Sequence, residues 1–170
     1  MVIWFIGLSG SGKTTISKIF YNKLKKKNKN TILLDGDVVR KIYNDKLGFT
    51  KKDREINAER LSRLSKFLSE QNINVVGSVL SNFPKWQKWN KKNIKNYRQV
   101  YIKVSLENLL KRDKKDLYKK AFKKKKKNVV GVDIKFHEPI KSDLIIDNNI
   151  NTRNFIKIFK KLNKYIKKIN

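Results

Sequence analysis

The eight residues Gly7-Leu8-Ser9-Gly10-Ser11-Gly12-Lys13-Thr14 constrain this chain more than anything else in it. They follow the apolar run Val2-Ile3-Trp4-Phe5-Ile6 and precede a helical pattern that begins near Lys13, which is the strand, loop, helix setting that G-x-x-x-x-G-K-[ST] requires. There, glycines let backbone N–H groups converge on phosphate oxygens, and the helix N-terminus adds partial positive charge. The pattern assigns Gly7, Ser9, Gly10, Ser11, Gly12, Lys13, Thr14 and Thr15 to binding ATP. Lys13 is the catalytic lysine that reaches the β- and γ-phosphates, and Thr14 is the ligand to Mg²⁺. A tight turn with a surface lysine is the plain alternative, and it leaves the agreement of context and spacing unexplained.

Four more bursts of β-branched and aromatic residues read as strands: Thr31 to Leu34, Asn74 to Leu80, Gln99 to Val104 and Leu144 to Ile146. Helical patterns lie between them, and the alternation implies βαβ units with right-handed crossovers. The expected fold is α/β: a three-layer P-loop kinase with a five-stranded, mostly parallel sheet, in one domain over residues 1–170. From Thr50 to Gln71, Ile56, Leu61, Leu64, Phe67 and Leu68 recur at helical spacing behind a Thr50/Asp53 capping start. Phe155, Ile156, Ile158, Phe159, Leu162, Tyr165, Ile166 and Ile169 form a last apolar stripe beginning near Thr152, expected to pack on the sheet. Lys114 to Lys127 is dense in lysine around Leu117, Tyr118, Ala121 and Phe122, and residues 114–131 are read as a lysine-rich lid.

Composition narrows the function classes. With no cysteine and His137 as the one histidine, disulfides, thiolate nucleophiles and Cys/His metal clusters are excluded, and a cytoplasmic enzyme is expected. The opening apolar run is too short for a signal-peptide core or a membrane span, so no membrane partner is expected. Lys+Arg number 43 against 14 Asp+Glu, for a formal charge of +29. Such a field attracts polyanions, yet lysine, asparagine and isoleucine are abundant together, the signature of A- and T-rich codons loading solvent-facing positions. Net charge speaks to solubility and non-specific binding, so nucleic acid is not expected as the main partner.

At the end of the second strand, Asp35-Gly36-Asp37 and then Arg40 bring two carboxylates and a guanidinium to the sheet edge that carries the phosphate loop. One carboxylate can orient an acceptor hydroxyl and the other can support Mg²⁺ through water; Asp37 is the candidate for the hydroxyl. Arg54 and Asn57, three residues apart on the long helix, share a face and can grip an acceptor phosphate together. Trp86 and Trp89 read as core or crevice wall, and His137 as a solvated loop residue.

Taken together, these residues resemble the adenylyl-sulfate kinase family from Val2 to about Asp147. The family pattern GLSGxGKTT stands as Gly7 to Thr15, DGDxxR as Asp35 to Arg40, GFxxxDRxxN as Gly48 to Asn57, RDxKxLYKKA as Arg112 to Ala121, and G-[IV]-D as Gly131 to Asp133. The resemblance implies that Asp37 faces the ribose 3′-hydroxyl of a small nucleotide acceptor, while Arg40, Arg54 and Asn57 hold its 5′ phosphate end. Phe49 would stack on the acceptor base, with Asp35, Ser81, Lys115 and Val129 also on the acceptor side and Arg112 beside ATP. It also implies a homodimer.

This chain departs from the family on the acceptor side. The family's Ile-Ser-Pro-Tyr-Arg is Leu80-Ser81-Asn82-Phe83-Pro84 here, which removes an arginine. Its Phe-Thr-Gly is Val129-Val130-Gly131, which removes a second stacking aromatic. Its Asp-Pro-Tyr-Glu is Ile134-Lys135-Phe136-His137, and a lid glycine is Asp116. Kinases resembling this family phosphorylate cytidine diphosphoramidate in bacterial capsule modification, so the expected acceptor is either that nucleotide or adenylyl sulfate. An RNA-associated protein with a degenerate nucleotide fold and a gluconate- or shikimate-like kinase are the competing readings; the latter has no reason to carry Phe49 and the Arg54/Asn57 pair.

Overall fold

A computed structural model describes residues 1–43, 47–113, 115–139, 141–149, 158, 160–165 and 167. The first strand, β1 (Val2–Ile6), is buried along its whole length, as expected of an apolar run in the middle of a covered sheet. It pairs in parallel with β3 (Asn74–Val79) on one side and β4 (Tyr97–Lys103) on the other. Outside these lie β2 (Thr31–Asp35), paired with β3, and β5 (Leu144–Asp147), paired with β4. The order is β2-β3-β1-β4-β5 and every described pairing is parallel, so the carboxyl ends of all five strands share one edge. Strand positions match the expected ones to within two residues at each end.

Alternation along β1 divides the core in two. Ile3 and Phe5 face Ile16, Phe20 and Leu24 of helix α1 (Lys13–Lys27), with Ile158 and Leu162 of the last apolar stripe on the same side. Val2, Trp4 and Ile6 face Val39 of α2 (Gly36–Ile42) and Leu61 of α3 (Lys51–Glu70). The result is the expected three layers of helix, sheet and helix. Ile158 and Leu162 are buried and Tyr165 packs against them, while Phe155, Ile156, Phe159, Ile166, Ile169 and Thr152 lie outside the described residues.

Helix α3 begins as its sequence predicts: the Thr50 hydroxyl accepts from the Asp53 amide and the Asp53 carboxylate accepts from the Thr50 amide, a complete capping box. Its inner face differs from the expected one. Phe67 is 58% exposed, whereas Asn57, Ala58, Leu61, Ser62 and Ser65 are buried. Small residues suit that face because the indole of Trp4, whose Nε1 donates to Ser65 Oγ at 3.1 Å, takes up the space beside it, and Phe67, about 200° around the helix from Ser65, points away from it. Gly77 makes room for the same ring from the sheet side, since a Cβ there would stand 2.6 Å from Trp4 Cδ1.

Helices α4 (Pro84–Asn93), α5 (Leu106–Lys111) and α6 (Leu117–Phe122) complete the described elements. Trp86 is buried against Phe83 and Ala58, edge-on to Trp89 at 5.7 Å, so this pair is core. Among the described residues no helix is long and apolar enough to cross a membrane.

Candidate active site

The loop between β1 and α1 turns on glycines that no other residue can replace. Gly12 has φ 92°, and a Cβ there would meet Asn148 Nδ2 at 2.8 Å. At Gly7 a Cβ would stand 2.6 Å from the Ile102 carbonyl oxygen and 2.8 Å from Ser11 Oγ. The loop therefore lies close against β4 and the end of β5, and the Ser11 amide closes a turn onto the Leu8 carbonyl at 3.2 Å. Lys13 folds back along it, and Nζ donates to the Leu8 carbonyl at 2.7 Å. Burial pushes the Lys13 ammonium down to about 8, with the Asp37 and Asp35 carboxylates opposing the shift.

Three oxygens gather where β1, β2 and β3 end. Thr14 Oγ1 lies 3.2 Å from Ser78 Oγ and 3.5 Å from Asp35 Oδ2. Asp35 also caps α2, its Oδ1 accepting from the amides of Asp37 at 2.9 Å and Val38 at 3.4 Å. That cap holds one carboxylate oxygen in place and leaves the other turned to Thr14. Asp37, in the first turn of α2, is exposed to the cleft.

The wall opposite the phosphate loop is built around Phe49, whose ring is 53% exposed. Two guanidinium groups lie over it, Arg40 at 4.9 Å and Arg54 at 5.4 Å from the ring centroid. Arg40 also donates to the Gly48 carbonyl. Arg54 Nε donates to the Phe49 carbonyl at 2.9 Å, and its far nitrogen donates to the Asn128 carbonyl at 2.7 Å. Burial, and next the neighbouring Arg40 charge, lower the Arg54 pKa. One turn on, Asn57 Nδ2 donates to the Gly36 carbonyl at 3.2 Å. That bond fixes the amide orientation, and the buried Oδ1 accepts from no group among the described residues. Ser81, at φ 42°, has a buried hydroxyl in the same condition.

The lid docks on the phosphate loop. Tyr118 of α6 is buried with Leu8, Leu109, Val129 and Val130, and its hydroxyl donates to the Ser9 carbonyl at 2.8 Å. Asp113 gathers the amides of Leu117, Tyr118 and Lys119, and Asp116 adopts the left-handed φ of 51° where the family resemblance has glycine. Beyond α6, Lys123 to Lys127 are exposed, and Lys126 and Lys127 border the cleft. The chain then returns through Val129, whose amide donates to Asp133 Oδ1 at 2.5 Å. Lys114 lies outside the described residues.

These walls border a cleft of about 630 Å³, within the range of small-molecule sites. Ser9, Gly10, Gly12, Lys13, Thr14 and Thr15 line it from the phosphate loop, Asp35, Asp37 and Arg40 from β2 and α2, and Phe49, Arg54 and Asn57 from α3 and its approach. Ser81, Arg112, Lys115 and Val129 close the remaining sides. Of the residues predicted from sequence, Gly7 and Ser11 stand behind the loop: Ser11 is fully buried, and Gly7 makes the room it occupies. His137 is exposed; its amide donates to Asn82 Oδ1, which ties the altered segments 80–84 and 134–137 together. Sequence reasoning did not find Ser78, Tyr118 or Asn148 as site residues, because their contacts bridge 64, 109 and 137 positions.

Residues 1–147 match the family model described as adenylylsulphate kinase. The chain is 41% identical over 148 residues to the cytidine diphosphoramidate kinase of Campylobacter jejuni, covering 87% of this chain and 86% of that protein. It is 34% identical over 151 residues to a probable adenylyl-sulfate kinase of Pseudomonas aeruginosa, covering 89% and 71%. In structure it is similar to the Mycobacterium tuberculosis APS kinase CysC in complex with AMPPNP and APS, with TM-score 0.84, 28% identity and coverage of 98% and 95%.

Proposed function

Since the chain belongs to the adenylylsulphate kinase family, we propose that it transfers the γ-phosphoryl group of ATP to the ribose 3′-hydroxyl of a nucleotide with a modified 5′ phosphate, and that cytidine diphosphoramidate is the acceptor. The observation that carries the general reading is the convergence of a phosphate loop and the Asp37 carboxylate on one cleft that is walled opposite by Phe49, Arg40 and Arg54.

The donor half would work by positioning and charge. Loop amides and Lys13 would hold the polyphosphate, and because phosphoryl transfer passes through a loose transition state, neutralising the equatorial oxygens matters more than strong base catalysis. Thr14 and Asp35 fit a Mg²⁺ held largely by phosphate and water oxygens, since their facing oxygens are hard ligands. That ion would supply further charge neutralisation. Asp37 would accept the hydrogen bond of the attacking hydroxyl and align it.

Two observations favour the cytidine acceptor. Val129 stands where the family resemblance has a second stacking aromatic, so the base subsite keeps Phe49 on one side and suits a smaller ring. The chain is also 41% identical to the Campylobacter jejuni cytidine diphosphoramidate kinase, against 34% to the Pseudomonas protein. Adenylyl sulfate is the second reading, favoured by the 34% identity to the Pseudomonas protein.

A coupled ADP-release assay with the two acceptors side by side is the test. Higher kcat/KM on cytidine diphosphoramidate is expected; preference for adenylyl sulfate would reverse the acceptor assignment, and silence with both would reject the reading. Turnover should persist at moderate salt, where an RNA-binding role would be lost.

A further inference from the structure

Three carbonyl oxygens of the phosphate loop are held by side chains: Leu8 by Lys13 Nζ at 2.7 Å, Ser9 by the Tyr118 hydroxyl at 2.8 Å, and Ser11 by Asn148 Nδ2 at 2.8 Å. The first lies within the loop's own motif. The other two come from the lid and from the residue that follows β5.

In a planar trans peptide the C=O and the following N–H point in opposite directions. Anchoring the Ser9 carbonyl therefore aims the Gly10 amide, and anchoring the Ser11 carbonyl aims the Gly12 amide. Gly10 and Gly12 have φ of 75° and 92°, and with no side chain of their own to restrict rotation, their peptide planes need outside support. Both anchors are buried. Tyr118 is 1% exposed in an apolar cluster, and Asn148 is 9% exposed, its own amide donating to the Lys103 carbonyl at 2.9 Å.

We propose that Tyr118 and Asn148 are positioning residues of the phosphate site: each sets the direction of one glycine amide by holding the carbonyl before it, and Tyr118 makes one of those donors depend on the docked lid. This deepens the donor-site reading above and rests on it.

The test is calorimetric titration of MgATP into the wild-type chain, Tyr118→Phe and Asn148→Asp, with acceptor KM and thermal stability measured alongside. Tyr118→Phe removes one hydroxyl and keeps the ring, so MgATP Kd should rise about three- to tenfold while acceptor KM stays within about twofold. Asn148→Asp sets a carboxylate against the Ser11 carbonyl, and its Kd should rise on the order of tenfold. A merely structural role would weaken stability and both affinities together. Should Asn148→Asp fail to fold, Tyr118→Phe alone decides. Wild-type affinity in both variants overturns the inference and leaves the donor reading standing; a wild-type chain that binds no MgATP removes both.

Discussion

Arg54 reaches from helix α3 to the carbonyl of Asn128, 74 residues further along the chain, and its far nitrogen closes that gap at 2.7 Å. One guanidinium thus joins the long helix to the returning limb of the lid, while its Nε holds the Phe49 carbonyl. On the proposed reading, the grip on an acceptor anion and the placing of the lid limb depend on this one side chain. Arg54→Ala should raise acceptor KM about ten- to a hundredfold, the loss expected for a charge-assisted bond, with a much smaller effect on ATP KM. Hydrogen exchange over residues 117–131 should quicken. Arg54→Lys should fail to rescue, because an ammonium cannot span both carbonyls. An ATP KM that changes as much as the acceptor KM would refute this.

Lys13 should give the donor site a pH dependence. With its pKa at about 8 in the free protein, roughly half the lysines are neutral at pH 8, and a bound polyphosphate restores the charge. Binding of MgATP should therefore take up about half a proton at pH 8 and almost none at pH 6.5, and affinity should fall as pH rises past 8. Titrations in buffers of different ionisation enthalpy measure the uptake directly. Lys13→Ala should abolish turnover and the proton uptake together.

Asp37→Asn keeps the size and removes the charge proposed to accept the hydrogen bond of the acceptor hydroxyl. The expected result is a kcat lower by roughly a hundredfold or more with ATP affinity nearly unchanged. Near-normal kcat would remove Asp37 from its role.

Val129→Phe tests the acceptor. A second ring opposite Phe49 should move the ratio of kcat/KM values toward adenylyl sulfate, whatever the variant loses in absolute rate through crowding. A ratio that stays fixed would mean the base does not sit between these two residues.

Gly77→Ala should destabilise the chain by about 1–3 kcal/mol, read from denaturant midpoints, because the new methyl would overlap the Trp4 ring, which is also held by Ser65. Trp4 itself borders the cleft, so acceptor KM should rise too.

The frame of this molecule was legible where local chemistry and tertiary demand agree. The five strands announce themselves by buried β-branched runs, and Thr50 with Asp53 marks the start of α3 to the residue. Short α2 carries no capping box, and Asp35, a candidate for chemistry, also caps it through the amides of Asp37 and Val38. Phe67 stands at helical spacing from Leu64, yet it lies about 200° around the helix from Ser65, which faces the Trp4 indole, and so it points outward. The cleft residues could be named because a motif fixes them. Tyr118 stands in the lid motif and Asn148 in none, and the role of neither could be read, since their partners are backbone carbonyls far away in the sequence and a carbonyl has no residue type to recognise.

The placement of β1 between β3 and β4 has a consequence for how the chain is made on the ribosome. Val2 finds its first neighbour in Val75 and its second in Tyr97, so the most apolar stretch must wait for both. At about 5–20 residues per second, that wait lasts several seconds or more, during which an unpaired sticky segment is exposed. A nascent chain arrested before residue 75 should therefore bind trigger-type holdases, and one extended past β4 should release them.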